Sequence, residues 1–332
     1  MNNLAEIVGG FSQKRVVVIG DAIADQFIYG EISRVSREAP VFILRHEQTE
    51  TTPGGAGNCA ANLASLGAQV SLVSVVGDDD AGRILLQRLR ESGVDSDGVL
   101  VANEHRTTTK VRVLAGQIHS TRQQVIRIDY DGEPGLSPKL RDELRAVVKK
   151  KAADADALII SDYNYGVAAP EIGAVVRDAT QGGHIPVLVD SRFRLSKFPG
   201  FTSATPNEDE VEELLGAEHA DEAALALAAE RLRQQLGYQA LLVTRGGHGM
   251  TLVEANSAPL HIDAVGSRQP LDVTGAGDTV IATYALALAS GASFTDAARL
   301  ANFAGGIVVM KRGTATVSKN ELLTSIREMT SK

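Results

Sequence analysis

Arg15 to Gly20 reads Arg-Val-Val-Val-Ile-Gly, with four consecutive β-branched apolar side chains between an arginine and a glycine. A continuous run of this kind is typical of a strand that is covered on both faces of a sheet. Four further stretches share this character: Gln69 to Gly77, Ala157 to Asp162, Pro186 to Asp190 and Ala240 to Thr244. Helical patterns lie between them, at Ala81 to Glu91, Pro138 to Lys151, Glu171 to Thr180 and Glu222 to Gln235. This alternation predicts an α/β fold with a mostly parallel sheet and helices on both of its faces.

The composition narrows the class of protein. The chain has 332 residues, 44% of them hydrophobic, and a formal net charge of −8. Aromatic residues make up only 4% and tryptophan is missing, so neither the charge nor the side chains suit a nucleic-acid binder. Met1 to Gly10 lacks a signal-peptide pattern, no apolar run reaches the roughly 20 residues that span a bilayer, and Cys59 is the only cysteine. We therefore expect a cytoplasmic protein with no membrane or nucleic-acid partner.

Two segments depart from the strand–helix rhythm. Residues 27–47 and 106–131 read as extended chain, and polar and apolar side chains largely alternate from Thr109 to Leu114. Alternation of this kind indicates a small antiparallel sheet with one apolar and one charged face. Such a sheet could close over a polar ligand as a lid, and an ordinary edge hairpin is the alternative. Since no repeat or linker is visible, we expect residues 1–332 to form a single domain that includes this lid.

The sequence Asp-Val-Thr-Gly-Ala-Gly-Asp, from Asp272 to Asp278, precedes a helical run of small and apolar residues. Gly275, Ala276 and Gly277 would form a bare turn at the start of that helix, where backbone N–H groups and the helix dipole can face an anion. Asp278 would point to the same place from the first helical turn. An anion cradle beside a carboxylate suits phosphoryl transfer to an alcohol, since the carboxylate can orient the hydroxyl and accept its proton. The alternative is a plain helix start after a glycine turn.

A second glycine-rich stretch, Pro53 to Gly67, contains Gly54, Gly55 and Asn58. The glycines allow a close backbone approach, and the Asn58 amide offers donors and acceptors to sugar hydroxyls. A dinucleotide-binding fingerprint is excluded because these glycines follow Thr51 and Thr52 and not a buried strand. The chain contains no Gly-Lys-Ser or Gly-Lys-Thr, which excludes a P-loop.

These motifs resemble both signatures of the ribokinase-like (PfkB) carbohydrate kinases. The similarity rests on Gly-Gly-Ala-Gly-Asn at 54–58, Gly-Asp-Asp-Asp-Ala-Gly at 77–82 and Asp-Val-Thr-Gly-Ala-Gly-Asp-Thr at 272–279, and it extends over nearly the whole chain. The resemblance implies a three-layer sandwich with a small β-sheet lid, and a kinase that uses ATP and Mg²⁺ to phosphorylate a sugar. It also implies a homodimer, since lid sheets in this superfamily often pair between subunits.

Within that superfamily, the chain looks most like the D-glycero-beta-D-manno-heptose 7-phosphate kinases. The matching segments are Gly20 to Val41, Leu242 to Leu252, Asp272 to Ile281 and Gly313 to Ser318. The resemblance implies phosphorylation of the anomeric hydroxyl of heptose 7-phosphate, in the synthesis of a lipopolysaccharide precursor. Many such kinases carry a fused adenylyltransferase, and because this sequence ends at Lys332 we expect the stand-alone kinase form.

The resemblance assigns roles to particular residues. Asp278 matches the catalytic base, and Gly275, Ala276 and Gly277 match the anion hole. The sugar-side matches are Asp25, Gly54, Gly55 and Asn58. On the nucleotide side, Thr244, Gly246 and Gly249 match a loop beside ATP, and Asn302 matches a residue beside the adenine or, alternatively, is a polar helix residue.

Two pairs of residues match ion sites of the family. Asn207 and Glu210 match an element that organises Mg²⁺-bound water near the ATP phosphates. Since Mg²⁺ keeps several waters, we expect few direct protein ligands. A helix cap with a solvated acidic face is the alternative interpretation of this pair. Asp272 and Thr274 match part of a site for a monovalent cation such as K⁺.

The extended segments carry the candidate phosphate-binding cations: Arg34, Arg37, Lys110, Arg112 and Arg127. A sugar that already bears a phosphate needs such partners, and Lys110 and Arg127 best match the heptose kinase pattern. The alternative for each of them is an ordinary solvated side chain.

Three departures from that pattern leave the sugar open. The chain has Asp190-Ser191-Arg192 where heptose kinases usually have Asp-Pro-Lys, and Asp162 to Gly166 (Asp-Tyr-Asn-Tyr-Gly) where they often have Asp-Tyr-Ala-Lys-Gly. Extra residues also occur around Gly116 to Thr121. The remaining alternatives are therefore a PfkB-type kinase of another sugar, sugar phosphate or nucleoside, and a non-catalytic sugar- or nucleotide-binding regulator. Retention of Asp278 with its glycine turn speaks against the regulator.

Overall fold

A computed structural model gives the structure of the chain. It describes residues 2–116, 122–132, 135–180, 185–217, 221–266 and 269–330. The described residues form two sheets, one of nine strands and one of four. The extra residues expected around Gly116 to Thr121 lie, from 117 onward, outside the described residues.

The strands agree closely with the predicted apolar runs, with shifts of one residue at most for those five runs. In chain order, the strands are β1 Arg15–Gly20, β2 Ala22–Val35, β3 Phe42–Gly55, β4 Gln69–Gly77, β5 Asp95–Ala102, β6 Thr109–Gly116, β7 Gln123–Tyr130, β8 Ala157–Asp162, β9 Val187–Ser191, β10 Ser203–Ala204, β11 Ala240–Thr244, β12 Met250–Glu254 and β13 Leu260–Ile262.

The helices lie mainly between the strands of the large sheet. In chain order, they are α1 Asn2–Gly9, α2 Ala56–Ser65, α3 Asp80–Glu91, α4 Pro138–Ala152, α5 Pro170–Ala179, α6 Glu208–Leu215, α7 Glu222–Leu236, α8 Ala276–Ala289, α9 Phe294–Val308 and α10 Lys319–Thr330. Local capping starts several of them: Asp79 accepts the N–H of Gly82 at 2.8 Å at the start of α3.

The large sheet has the strand order β13-β12-β11-β10-β9-β8-β1-β4-β5. The seven strands β11, β10, β9, β8, β1, β4 and β5 pair in parallel with their neighbours in this part of the order. On β1, for example, Val16 lies opposite Val70 of β4 on one side and Ala157 of β8 on the other. Among the described strands of the large sheet, the antiparallel pairs are β11·β12 and β12·β13. The predicted mostly parallel sheet is confirmed.

The core is divided by this sheet into two apolar clusters. Val16 and Val18 point into one cluster, while Val17 and Ile19 point into the other, because successive strand residues face opposite sides. The first cluster is covered by helices that include α2, α8 and α9, and the second by α4, α5 and α7. Both faces are therefore buried, and the predicted three-layer sandwich is confirmed. None of the described helices combines the length and hydropathy needed to cross a membrane.

The small sheet has the order β3-β2-β6-β7. The pairs β2·β3 and β6·β7 are antiparallel, whereas β2 and β6 pair in parallel. Its strands reach beyond the predicted 27–47 segment at both ends, since β2 begins at Ala22 and β3 continues to Gly55. The glycines at 54 and 55 are therefore the last two residues of a strand of the small sheet. As a result, the small sheet joins directly to the ends of β1 and α2.

Candidate active site

The site lies where β1, β8 and β9 end and helix α8 begins. Gly275 is the N-cap of α8 and has φ +76°, a left-handed conformation that favours glycine. Asp278 follows in the first turn, as predicted, and is only 2% exposed. Ligands in α/β sheets bind at this carboxyl edge of the strands.

The carboxylate of Asp278 accepts two hydrogen bonds from side chains. The Nδ2 of Asn58 lies 2.8 Å from Oδ2, and the hydroxyl of Tyr163 lies 2.9 Å from Oδ1. Burial raises the pKa of Asp278 to about 7, and the hydrogen bonds from Asn58 and Tyr163 limit the rise. A carboxylate with this pKa can accept a proton from an alcohol near neutral pH.

Asn58 belongs to a buried polar network. It is 1% exposed, its Nδ2 also reaches the Gly275 carbonyl at 3.3 Å, and its Oδ1 accepts from Asn62 Nδ2 at 3.1 Å. Asn62 Oδ1 in turn accepts from the hydroxyl of Thr279 at 3.1 Å. The sequence predicted Asn58 to be a sugar contact; the structure directs both ends of its amide to protein groups around Asp278.

The N-terminus of α8 presents an open surface. The N–H of Ala276 donates to the Val273 carbonyl at 3.2 Å, which leaves the N–H groups of Gly277 and Asp278 in a turn that makes no intrahelical bonds. A Cβ at Gly277 would meet no atom within 4 Å, whereas one at Gly275 would lie 2.4 Å from Asn58 Nδ2. The space beside Gly277 can therefore admit an anion, and the N–H of Gly277 is a better donor to it than that of Ala276.

Asp25 lies on β2, facing the site, and is 5% exposed. It forms an ion pair with Arg112 and accepts from the Thr314 hydroxyl at 3.1 Å. A Cβ at Gly54 would lie 2.4 Å from Asp25 Oδ2, and one at Gly55 would lie 2.6 Å from the Asp21 carbonyl. These two glycines thus allow β3 to approach β2 closely, and Asp25 is the group that they bring to the site.

The predicted lid cations are held by acidic and phenolic partners. Lys110 Nζ lies 3.3 Å from Asp129 Oδ2 and 2.9 Å from the hydroxyl of Tyr165. Arg127 Nε lies 2.9 Å from Asp129 Oδ1, and its side chain is 51% exposed. Lys110 and Arg127 therefore share one carboxylate on the same face of the small sheet as Arg112.

Arg34 and Arg37 lie elsewhere, exposed at the far end of the β2–β3 hairpin. Their position agrees with the alternative of ordinary solvated side chains. The structure thus brings three of the five candidate cations together at one end of the small sheet.

A cavity of about 200 Å³ opens beside the α8 N-terminus. All four predicted nucleotide-side residues line it, namely Thr244, Gly246, Gly249 and Asn302, together with Ala276 and Gly277 and several valines. Asn302 Nδ2 donates to the Asp263 carbonyl at 2.7 Å. Gly246 has φ +51° with open space where a side chain would be. A mostly apolar cleft that ends at a helix N-terminus fits a purine nucleotide with its phosphates toward Gly277.

Asn207 and Glu210 form a capping box at the start of α6. Asn207 Oδ1 accepts the N–H of Glu210 at 2.8 Å, and Glu210 Oε2 accepts the N–H of Asn207 at 2.9 Å. The helix-cap interpretation is therefore observed. Burial raises the pKa of Glu210, and the charge of Arg192 opposes that rise. The second oxygen of Glu210 keeps acceptor capacity, which fits a role in holding Mg²⁺-bound water.

Asp272 links two loops next to α8. Its Oδ1 accepts the N–H of Thr274 at 2.9 Å and its Oδ2 accepts the N–H of Gly313 at 2.9 Å. This arrangement fixes the segment before Gly275.

Three site residues were missed from the sequence: Asp21, Tyr163 and Asp190. Asp21 accepts backbone N–H groups from the loop after β8, and Tyr163 in that loop contacts Asp278. Asp190 lies at the end of β9, and burial together with the charges of Asp278 and Glu210 raises its pKa well above the usual value. Each directly follows or ends a buried strand run, a signal that could have identified it.

A family model described as pfkB family carbohydrate kinase matches residues 13–321. Among curated proteins, the bifunctional protein HldE of Pelobacter propionicus is 39% identical over 311 residues, which is 93% of this chain and 62% of the relative. The bifunctional protein HldE of Caulobacter vibrioides is 41% identical over 322 residues, 96% of this chain and 65% of the relative. The chain thus spans less than two thirds of the length of these relatives.

Solved structures show the same fold. An Arabidopsis thaliana ribokinase complexed with ribose and ATP aligns with a TM-score of 0.73 and 22% identity, covering 95% of this chain and 99% of the other. Phosphofructokinase-2 from Escherichia coli, in complex with substrates and products, aligns with a TM-score of 0.80 and 20% identity over 96% and 99% of the two chains. At these identities the likeness extends to the fold alone.

Proposed function

The chain belongs to the pfkB family of carbohydrate kinases, and from this premise we propose that it transfers the γ-phosphoryl group of ATP to the anomeric hydroxyl of heptose 7-phosphate, with Asp278 as the base. The observation that carries the mechanism is the position of Asp278. A buried carboxylate stands beside an open helix N-terminus, between the apolar cleft and the charged face of the small sheet. Such a place suits a group that must meet both substrates.

Asp278 would orient the sugar hydroxyl and take its proton as the oxygen attacks phosphorus. Its two hydrogen-bond donors, Asn58 and Tyr163, occupy one lone pair on each oxygen and leave others for the sugar. Positioned proton transfer of this kind contributes about 10²- to 10⁴-fold to the rate of a reaction. The pKa of about 7, which burial produces, keeps a large fraction of the carboxylate ionised at neutral pH.

The N-terminus of α8 would hold the negative charge of the moving phosphoryl group. In the first turn of α8, the N–H groups of Gly277 and Asp278 and the helix dipole would face an anion in the open space beside Gly277. ATP supplies the phosphoryl group, and Mg²⁺ neutralises charge on its phosphates. Thr244, Gly246, Gly249 and Asn302 would contact the nucleotide, and Asn207 and Glu210 would hold Mg²⁺-bound water.

A phosphorylated sugar is supported by the charges on the small sheet. Lys110, Arg112 and Arg127 are three cations; Asp25 and Asp129 pair with them, and Asp131 interacts with Tyr165 beside Lys110. Asp25 suits the sugar hydroxyls, and Lys110 and Arg127, which share the carboxylate of Asp129, suit a phosphate at the far end of the sugar. The sequence resemblance to heptose 7-phosphate kinases agrees with this arrangement. The likeness to the HldE relatives agrees with it as well.

Two departures from the heptose kinase pattern favour a second candidate, a kinase of another sugar. Tyr165 stands where heptose kinases often have lysine, and it binds Lys110 through its hydroxyl. Arg192 stands where a second lysine is usual, and its guanidinium lies over the Phe193 ring. These differences place fewer free charges near the site than the heptose kinase pattern would.

The test is an ADP-release assay with ATP and Mg²⁺ over a panel of acceptors: heptose 7-phosphate, sedoheptulose 7-phosphate, fructose 6-phosphate, ribose, fructose and adenosine. We expect selective turnover of heptose 7-phosphate. Selective turnover of an unphosphorylated acceptor would contradict the phosphate assignment and retain the kinase chemistry. Absence of turnover with the whole panel, by protein that still binds ATP, would favour a binding protein.

We also propose a homodimer formed through the outer face of the small sheet. Ile126 and Ile128 alternate along β7, so they point to the same side, and both are exposed. Apolar side chains side by side on a sheet commonly mark a contact with another protein surface. Light scattering should give twice the chain mass for the natural protein and the chain mass after Ile126→Glu.

A monovalent cation is proposed beside Asp272 and Thr274. The Asp272 carboxylate accepts the N–H groups of Thr274 and Gly313, and so holds the loop that precedes α8. A cation bound there would add positive charge next to the N-terminus of α8. Turnover should rise when KCl replaces tetramethylammonium chloride at equal ionic strength. Equal rates in the two salts would contradict this site.

A further inference from the structure

We propose that Tyr163 is a positioning residue that fixes the carboxylate of Asp278, and that Asp21 anchors the loop from which Tyr163 reaches it. The inference rests on the proposed role of Asp278 as base. It assigns a function to two side chains that the chemistry above does not require to touch either substrate.

The two donors of Asp278 act on different oxygens. The Tyr163 hydroxyl lies 2.9 Å from Oδ1, and Asn58 Nδ2 lies 2.8 Å from Oδ2. One hydrogen bond would leave the carboxylate free to rotate about its Cβ–Cγ bond, whereas two bonds on opposite oxygens define its plane. The remaining lone pairs then point in a fixed direction, which is what a base needs to meet a sugar hydroxyl in line with the phosphate.

The loop that follows β8 is organised around the carboxylate of Asp21. That carboxylate accepts the N–H groups of Tyr163 at 2.9 Å, Tyr165 at 3.1 Å and Val167 at 2.9 Å. The intervening residues, Asn164 and Gly166, have φ of +65° and +104°. These left-handed positions turn alternate N–H groups inward, so the loop forms a concave backbone surface around a negative charge.

Asp21 itself is rigidly placed. It is buried at the end of β1, and burial raises its pKa to about 6, while the three backbone hydrogen bonds oppose that rise. A buried carboxylate without these donors would carry a large desolvation cost, so the loop and the charge stabilise one another. The backbone N–H of Tyr163 is therefore held by a hydrogen bond to the buried carboxylate of Asp21.

The Tyr163 hydroxyl also favours the ionised form of Asp278. Burial and the charge of Asp278 raise the pKa of Tyr163 well above its usual value, so this hydroxyl keeps its proton and remains a donor. Among the described residues, the other titratable groups that interact with Asp278 include Asp25, Cys59 and Asp190, and none of these three supplies a positive charge. Loss of the hydroxyl should therefore raise the pKa of Asp278.

The same loop provides a matched control. Tyr165 is two residues from Tyr163, its N–H is bound by the same carboxylate, and its hydroxyl accepts a hydrogen bond from Lys110 Nζ at 2.9 Å. Tyr163→Phe and Tyr165→Phe each remove one oxygen from the loop. Only the first removes a donor from Asp278.

The experiment compares these two variants with the unsubstituted chain, using the acceptor found to be turned over. The measurements are kcat, the KM for ATP, and kcat/KM from pH 5.5 to 9. We expect Tyr163→Phe to lower kcat about 10-fold and to change the KM for ATP less than about two-fold. The acidic limb, which is the fall of kcat/KM at low pH, should move upward by about one pH unit. Tyr165→Phe should leave the acidic limb in place.

Asp21→Asn is the second variant, because it keeps Tyr163 and the side-chain volume but weakens the anchor. Its acidic limb should also move upward, by less than that of Tyr163→Phe. The proposal would be overturned if folded Tyr163→Phe kept the kcat and the acidic limb of the unsubstituted chain. It would also be overturned if kcat fell in Tyr163→Phe and Asp21→Asn while the acidic limb stayed in place in both. Asp278→Asn separates the proposed base from the proposed positioning role. Full turnover in Asp278→Asn would refute the role of Asp278 as base. A loss of turnover in Asp278→Asn, together with unchanged turnover in Tyr163→Phe, would refute only the positioning role of Tyr163.

Discussion

The side-chain amide of Asn58 donates a 2.8 Å hydrogen bond to Oδ2 of Asp278, joining residues that are 220 positions apart in the sequence. Asn58 lies in the first turns of α2 and Asp278 in the first turn of α8, so the two glycine-rich motifs meet at one carboxylate. The first motif, predicted to lie on the sugar side, is therefore also part of the setting of the proposed base.

Asn58→Ala should weaken both stability and catalysis. The variant leaves Oδ2 of Asp278 without its buried donor, and an unsatisfied buried group costs about 1–3 kcal/mol. We expect the free energy of unfolding in urea to fall by about that amount and kcat to fall at least about 10-fold. Asn103→Ala, at an exposed position, is the control and should change neither quantity. If Asn58→Ala keeps natural kcat, the network does not position the base.

The pH dependence of turnover should report Asp278. Burial raises its pKa to about 7, so below pH 7 the carboxyl is mostly protonated and cannot accept a proton. We expect kcat/KM to fall about 10-fold per pH unit below pH 6 and to level off above pH 8. ATP and sugar phosphates also ionise near neutral pH, so the residual activity of Asp278→Asn is the control. An acidic limb that persists in this variant comes from the substrates and not from Asp278.

Much of the fold could be predicted because its strands are buried on both faces. Runs such as Arg15 to Gly20 have a single physical explanation, and their structural bounds agree with the predicted ones. The parallel pairing of β2 with β6 could not be predicted, since it joins segments about 85 residues apart through backbone groups that leave no pattern in the sequence. Period-2 alternation indicates a strand but not its partner.

The candidate site was predictable where glycine and acidic residues share a short motif, as in Gly275 to Asp278. Asp21 and Tyr163 were missed because their roles depend on contacts across the sheet, with Tyr163 lying 115 residues from Asp278 in sequence. The ion pair of Arg112 with Asp25 was likewise hidden, since each residue reads separately as a ligand contact. A position at the end of a buried strand run can place such a residue near the site, but its tertiary partners have no local signature in one sequence.

Two glycine substitutions in α8 should separate folding from nucleotide binding. Gly275→Ala places a Cβ 2.4 Å from Asn58 Nδ2 at a residue with φ +76°, so we expect loss of stability and of turnover together. Gly277→Ala meets no protein atom within 4 Å and lies in a helix, where alanine is favoured by about 1 kcal/mol. Its methyl group would instead enter the space for the phosphates. We expect an unchanged or higher melting temperature and a weaker affinity for ATP, measured by calorimetry. Natural ATP affinity in Gly277→Ala would contradict the location of the phosphates at this helix.

Arg127→Ala should affect the sugar phosphate and not the nucleotide. Arg127 is half-exposed on the charged face of the small sheet, where it shares Asp129 with Lys110. A charge-assisted contact with phosphate is worth about 1.5–3 kcal/mol, so its loss should raise the KM for the sugar phosphate about 10- to 100-fold. The KM for ATP should stay within about two-fold, because the cleft proposed for ATP is lined by other elements. Arg45→Ala is the control, since Arg45 is an exposed arginine of the same sheet whose partner is Glu31 at 3.8 Å.

Equal increases in both KM values, or equal effects of the two substitutions, would show that Arg127 acts through the general charge of the sheet and not through the phosphate. A selective effect would also explain why this side chain is kept beside Asp129: the carboxylate holds the guanidinium in place until a phosphate, with its greater charge, competes for it.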